Sequence, residues 1–261
     1  MLFGKTILVT GIASGIGART AEVAAQMGAE VIGVDVREPA RGTAAFIKGD
    51  LSTAAGVADI VAQLPTRLDA LANVAGLSGD TGIVSTLSVN FYGLRALSEA
   101  VAPRLRESGA IVNVASIAGY GWRANLDRAK TLIGIEGFPD VAAVADKHDL
   151  RDEEGYPLSK ELLLLWTMRA AHQPLFKERR IRVNAVSPGP VETPILKQFR
   201  AVLGDARVDS DITRVGRAGT SADIAPAILF LCSDGARWIN GANLAADGGL
   251  EASINAEVLG F

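Results

Sequence analysis

Tyr156 and Lys160 stand four positions apart in Tyr156-Pro157-Leu158-Ser159-Lys160, a spacing that puts both side chains on one face of a helix. A phenol titrates near pH ~10 in water and is a poor base at neutral pH. An ammonium group beside it favours the phenolate, so such a pair could move a proton on and off a substrate oxygen. Ser116, at the end of a strand-like run, could hydrogen-bond the same oxygen and stabilise charge there. Each residue also fits a plainer role: a helix-start Tyr, a surface Lys, a strand-end Ser.

A second constellation points to a phosphate-bearing ligand. Thr10-Gly11-Ile12-Ala13-Ser14-Gly15-Ile16-Gly17 lies between an apolar run and a helical one. Glycines there permit a tight turn and let the backbone approach a pyrophosphate at the N-terminal end of the helix. Asp35 ends the next apolar run, 24 positions after Gly11. A carboxylate at that place can accept both ribose hydroxyls of NAD and repels the 2′-phosphate of NADP, so NAD is the expected cofactor. Arg19 and Arg37 work against that reading, because a guanidinium can pair with a phosphate.

The elements that must position these groups follow from the hydrophobic pattern. Strands are expected at Thr6–Thr10, Val31–Val34, Phe46–Lys48, Leu68–Val74, Ile111–Ala115, Arg182–Val186 and Ala242–Leu244. They are apolar almost throughout, as strands covered on both faces are. Helices are expected at Ile16–Met27, Ala54–Leu64, Thr86–Arg106, Leu158–Ala171 and Ala222–Cys232, with Gly28 and Gly109 as stops after the first and third. Sustained strand–helix alternation predicts an α/β fold: one doubly wound Rossmann domain over 1–261, built on a seven-stranded parallel sheet. The stretch 117–155 breaks the rhythm and reads as a loop inserted between strand 5 and the active-site helix, weakly helical over Asp140–Lys147, at the sheet edge where ligands bind. Trp122 within it could be a lid over the substrate or an apolar anchor for the loop.

Composition bounds the remaining possibilities. The chain has 261 residues, 49% hydrophobic and 21% charged, with a formal net charge of -3, which excludes disorder as the main description and argues against a nucleic-acid binder. Cys232 is the only cysteine, so no intrachain disulfide can form, and His148 and His172 do not suggest a metal site. Met1 to Lys5 run directly into an apolar strand without the pattern of a secretory signal, and no apolar run reaches membrane-span length. A cytoplasmic protein without a membrane partner is expected.

The motifs together resemble the short-chain dehydrogenase/reductases: Thr-Gly-x-x-x-Gly-x-Gly at 10–17, Asn-Val-Ala-Gly at 73–76, Asn90, Ser116, Tyr156-x-x-x-Lys160 and Pro188-Gly189, in the family's order. The resemblance implies that Tyr156 is the acid/base and that Ser116 positions the alcohol or carbonyl. It implies that Lys160 holds the nicotinamide ribose and lowers the Tyr156 pKa, and that Asn90 supports a water-linked proton relay. It implies further that Gly11, Ser14, Gly15, Ile16 and Gly17 hold the pyrophosphate, Asp50 and Leu51 flank the adenine, Asn73, Ala75 and Gly76 line the cofactor cleft, and Pro188, Val191 and Thr193 hold the carboxamide. Asn73-Val74 and Ala115-Ser116 depart from the commoner Asn-Asn and Ser-Ser. Ser116 and Tyr156 are 40 positions apart, far more than is usual in the family. The insertion, with Ser187 to Leu196 and Arg237 to Gly241, resembles a smaller branch holding 3α-hydroxysteroid dehydrogenase/carbonyl reductase and coniferyl-alcohol dehydrogenase. The resemblance implies hydride transfer between NAD and a small hydrophobic or aromatic alcohol or ketone, a closing lid after Thr193, and a homodimer or homotetramer that the insertion could reshape. The alternative is a non-catalytic dinucleotide sensor or interaction subunit, which would have no need of Asn90, Ser116, Tyr156 and Lys160 together.

Overall fold

Seven runs pair side by side, and the apolar inner ones bury both of their faces. In a computed structural model, which describes residues 2–40 and 45–261, they form one parallel sheet in the order β3-β2-β1-β4-β5-β6-β9. In chain order the first half runs β1 (Thr6–Thr10), α1 (Gly15–Gln26), β2 (Glu30–Asp35), β3 (Ala45–Lys48), α2 (Ala54–Gln63), β4 (Leu68–Asn73), α3 (Gly82–Leu87), α4 (Leu94–Val101) and β5 (Leu105–Val114). The insertion carries α5 (Leu126–Ile133) and α6 (Val141–Lys147). Next come α7 (Gly155–Ala170), α8 (Pro174–Lys177), β6 (Arg182–Pro188), β7 (Val191–Glu192), α9 (Leu196–Leu203) and α10 (Asp205–Val215). The chain closes with β8 (Gly219–Thr220), α11 (Ser221–Cys232), β9 (Asn243–Ala246) and α12 (Leu250–Leu259).

Alternate strand residues feed two cores. Leu8, Ile32, Leu71, Ile111 and Val183 meet α2, α4 and α7 on one face, while Ile7, Val9, Val31, Val112 and Val186 meet α1 and α11 on the other. Strand order reverses between β1 and β4, and their C-terminal ends part there into the crevice where ligands bind in open parallel sheets. Gly28, at φ +82°, stops α1 in the left-handed conformation that glycine adopts freely.

Three expectations need correction. The helix expected over Thr86–Arg106 is α3, a wide π-helical turn at Ser88–Gly93, α4 and a short 3₁₀ turn ending at Arg104. Pro103 lacks an N–H and cannot continue a helix, and β5 starts at once with Leu105 beside Leu68. Gly109 is therefore no helix stop. It lies inside β5, where the register against β4 shifts and Ser108 takes φ +62°. The insertion is not a loop but a helical layer: a 3₁₀ segment at Ile117–Arg123, then α5 and α6. Ala129, Leu132, Val141, Val144 and Leu150 are buried in the core shared with α7, and Arg95 of α4 fastens the layer by donating to the carbonyls of Ile133 and Gly137.

Among the described residues, no helix is long and apolar enough to cross a membrane.

Candidate active site

The glycine loop is shaped by close backbone approaches. Gly11 takes φ +76°, and a Cβ there would stand 2.8 Å from the Cα of Ala75. A Cβ on Gly17 would overlap the carbonyl oxygen of Gly11, so α1 can start tight against β1 only with glycine at this place. Thr10 Oγ1 accepts the N–H groups of Val74 and Ala75, both at 3.0 Å, and ties the loop to the end of β4. The groove so formed is lined by Gly11, Ser14, Gly15, Ile16, Gly17, Asp35, Asp50, Leu51, Ala75, Gly76 and Thr193. Its glycine floor, its helix N-terminus and its strand-end carboxylate fit an extended dinucleotide.

Asp35 also orders the loop. Its Oδ2 accepts the N–H of Ala13 at 3.0 Å and its Oδ1 the N–H of Arg37 at 3.0 Å. Arg19 is paired with Glu22 at 2.6 Å and is not part of the groove lining, whereas Arg37 is. The π-helical turn packs close against Leu51, since a Cβ on Gly93 would overlap the Leu51 carbonyl oxygen.

The groove opens into an apolar cleft at the ends of β5 and β6. Ser116, Tyr156, Lys160, Pro188, Val191 and Thr193 line it together with Ile117, Leu196, Phe199 and Val208. Tyr156 and Lys160 lie one turn apart near the start of α7, with Lys160 Nζ 5.5 Å from the Tyr156 ring centre. Burial pushes the Tyr156 phenol up to about 12, and the neighbouring Ser116 hydroxyl opposes that rise. Burial holds the Lys160 ammonium down to about 8. Lys160 Nζ donates to the carbonyl of Val114 at 2.9 Å, which uses one of its three hydrogens and aims the group across the end of β5.

Two expected site residues sit beneath the cleft floor. Asn73 is fully buried and does not line the groove; its Nδ2 donates to Ser98 Oγ at 2.8 Å and Asn113 Oδ1 at 2.9 Å, and its neighbour Val74 takes the lining position. Asn90 is also fully buried. Its Oδ1 accepts the N–H of Leu77 at 2.7 Å, and its Nδ2 donates to the Leu77 carbonyl at 2.9 Å and to Ser159 Oγ at 3.2 Å. With both amide hydrogens engaged, this side chain holds Leu77 and α7 in place rather than reaching into the cleft.

The segment after Thr193, where a lid is expected, forms the helices α9 and α10, with a turn between them at Gly204, φ +85°. Phe199 of α9 lies with its ring centre 4.5 Å from that of Tyr156. Trp122 packs against the core, with the Arg123 guanidinium 4.4 Å from its ring centre, and lies outside the cleft lining, as an anchor does. Sequence reasoning missed Leu77 and Val89 in the groove and Phe199, Val208 and Asp211 in the cleft. No motif marks them; only their positions after β4 and after the Pro-Gly turn could have drawn attention to those segments.

Comparison with known proteins agrees with this geometry. Residues 5–126 match the family model described as short chain dehydrogenase, and residues 141–251 match the one described as Enoyl-(Acyl carrier protein) reductase. The chain is 40% identical over 252 residues to a coniferyl-alcohol dehydrogenase of Pseudomonas sp. (strain HR199 / DSM 7063), covering 97% of this chain and 98% of that one. It is 30% identical over 260 residues to the 3-alpha-hydroxysteroid dehydrogenase/carbonyl reductase of Comamonas testosteroni, covering 94% and 96%. The crystal structure of the 3-alpha-hydroxysteroid dehydrogenase from Pseudomonas sp. B-0831 complexed with NADH superposes with a TM-score of 0.79 at 31% identity, over 97% of this chain and 99% of that one. The dinucleotide-binding fold, the ordered motifs and the full-length similarity make this chain a member of the short-chain dehydrogenase family of oxidoreductases.

Proposed function

We propose that the protein is an NAD-dependent alcohol dehydrogenase and carbonyl reductase acting on a hydrophobic or aromatic alcohol and its carbonyl product. One observation carries the reading: Ser116, Tyr156 and Lys160 meet where an apolar cleft opens into a groove shaped for a dinucleotide. Gly11 to Gly17, Asp35, Leu51, Gly76, Lys160 and Thr193 would hold that cofactor, which when bound supplies the acceptor or donor of hydride.

The chain's own residues handle the proton. Ser116 Oγ hydrogen-bonds the substrate oxygen and orients it toward Tyr156. In the oxidative direction the Tyr156 oxygen takes the hydroxyl proton as the carbinol becomes a carbonyl; in the reductive direction it returns one. Burial holds the phenol near 12 even against the Ser116 hydrogen bond, so the task calls for a positive charge beside it, and the Lys160 ammonium on the same helix face would supply it. The apolar walls exclude water and favour an uncharged substrate. Asn90 is a positioning residue, fixing Leu77 at the rim and α7 beneath it. Preference for NAD rests on Asp35, whose carboxylate stands where a 2′-phosphate would be repelled.

Nicotinamide absorbance tests the reading, with NAD or NADP, a panel of bulky secondary and aromatic alcohols, and Tyr156→Phe alongside. Turnover with NAD that the variant loses while still binding the dinucleotide is the expected result. Dinucleotide binding without turnover on any alcohol of the panel contradicts it and favours a sensor.

A further inference from the structure

Ser116 lies just past the end of the sheet. The Ala115 N–H still donates to the Val186 carbonyl at 2.8 Å, and the chain then enters the 3₁₀ segment Ile117–Arg123. The aim of the Ser116 hydroxyl is therefore set by that segment as much as by β5. Ser116 Oγ accepts the Ala118 N–H at 3.1 Å, and the Ser116 carbonyl accepts the Gly119 N–H at 3.0 Å, which closes one turn. Hydrogen bonds of 3₁₀ geometry are poor, so a turn like this keeps one direction only if its surroundings hold it. On one side it presses on α7: a Cβ at Gly119 would stand 3.0 Å from the Lys160 carbonyl oxygen and 2.9 Å from Leu164 Cδ1. On the other side the half-buried Tyr120 donates its hydroxyl to Asn255 Oδ1 of α12 at 2.7 Å, across 135 positions of sequence.

The far end of that bond is itself anchored. At the start of α12 the buried Asp247 accepts the N–H groups of Gly249 and Glu251 at 2.9 and 2.8 Å. Asp247 also packs on the turn after β6, where a Cβ at Gly189 would stand 3.1 Å from its own Cβ. Further along, Arg214 of α10 pairs with Glu257 at 2.7 Å, a partly exposed contact that contributes little. Among the described residues, neither Tyr120 nor any residue of α12 lines the cleft. A helix fixed beside the Pro188-Gly189 turn thus reaches the Ser116 segment through one side-chain hydrogen bond, without touching the substrate space. We infer that Tyr120 and Asn255 are a positioning pair: their hydrogen bond holds the 3₁₀ segment against α7 and so directs the Ser116 hydroxyl at the substrate oxygen. Both act through Ser116 and neither meets the reacting atoms. This rests on the alcohol dehydrogenase reading above.

Substitutions at both ends of the bond test it. Tyr120→Phe keeps the ring and removes the donor, Asn255→Leu removes the acceptor, and Asn255→Asp keeps one. Each is measured with and without Ser116→Ala for steady-state kinetics with NAD and an aromatic alcohol, for dinucleotide binding, and for hydrogen exchange of the 116–123 amides by mass spectrometry. Tyr120→Phe and Asn255→Leu should each lower kcat on the order of 10-fold, with KM and dinucleotide binding little changed and faster exchange confined to 116–123. The double variant should lose no more than either single one, and Asn255→Asp should restore most of kcat. On top of Ser116→Ala, Tyr120→Phe should change kcat no further. Arg214→Gln, which loosens α12 from α10 instead, should keep kcat. Unchanged kcat in Tyr120→Phe, a loss that persists in full on top of Ser116→Ala, or the same loss in Arg214→Gln would reduce the pair to a staple of α12 and overturn the inference. Exchange at 116–123 that does not change overturns it too, and leaves the dehydrogenase reading standing. Faster exchange at 116–123 in a protein that turns over no alcohol keeps the hold on Ser116 and refutes the dehydrogenase reading instead.

Discussion

Replacing Lys160 with methionine keeps the bulk of a buried side chain and removes its charge, and the consequences can be worked from one distance and two pKa values. Lys160 Nζ lies 5.5 Å from the Tyr156 ring centre. At an effective dielectric of ~20, a unit charge at that separation favours phenolate by about 3 kcal/mol, equivalent to about 2 pH units. Lys160 keeps its charge below about pH 8, so alcohol oxidation at neutral pH should fall roughly 100-fold in Lys160→Met, and the gap should narrow above pH 8 as the wild-type Lys160 loses its own proton. Stability should move the other way. The folded-state pKa of Lys160 is lowered to about 8, below its ordinary value near 10.4. Below pH 8 both states carry the charge and the folded state bears its burial cost in full; between pH 8 and about 10.4 the unfolded state binds more protons, so stability rises with pH. Lys160→Met should hence be more stable than wild type at pH 7, by up to about 3 kcal/mol less the lost Val114 hydrogen bond, and the difference should shrink as pH rises through that window. Cys232, whose thiol burial pushes up to about 12, adds a pH dependence of its own that cancels between the two proteins. Urea denaturation at pH 7, 8 and 9 together with kcat/KM profiles checks both arms. Superimposable pH profiles, or a stability difference that does not change with pH, would refute the electrostatic reasoning.

Asp35→Ala should weaken NAD binding by roughly 10- to 100-fold, through loss of charge-assisted hydrogen bonds, and narrow the gap to NADP; titration of each dinucleotide by fluorescence measures this. Gly17→Ala forces a Cβ onto the Gly11 carbonyl, so dinucleotide binding should be lost and the protein destabilised by about 2 kcal/mol or more, seen as a lower melting temperature. Trp122→Ala should cost about 1–3 kcal/mol of stability for a partly buried anchor while leaving KM unchanged; a raised KM at unchanged stability would make it a lid.

Much of the fold was legible because its inner strands are buried on both faces and so read as unbroken apolar runs. The loop at 10–17 was legible because close backbone approach demands glycine at Gly11 and Gly17, which only glycine satisfies. Of the helices in the insertion, α6 was legible as the weakly helical Asp140–Lys147, whereas α5, 8 residues long and followed by Gly134, Gly137 and Pro139, was too short for a 3.6-residue period to stand out. The end of the third helix was misplaced because Leu105 is apolar in either state, and its pairing with Leu68 is a tertiary fact. Asn73 and Asn90 look like cleft residues in sequence, but a carboxamide can equally serve as a buried hydrogen-bond junction, and only the partners Ser98, Asn113, Leu77 and Ser159 reveal that. Asp211 carried no signal at all, since an acid on an amphipathic helix ordinarily faces water.

The most direct test of the central claim, that this site moves hydride from a carbinol with Tyr156 handling the proton, follows an isotope. An aromatic alcohol deuterated at the carbinol carbon is incubated with NAD and the protein, and the dinucleotide is examined by mass spectrometry. Deuterium on the reduced dinucleotide with the wild type, and none with Tyr156→Phe at equal dinucleotide binding, is the predicted result. Label that stays in the alcohol with the wild type, or transfer undiminished in Tyr156→Phe, would contradict the account.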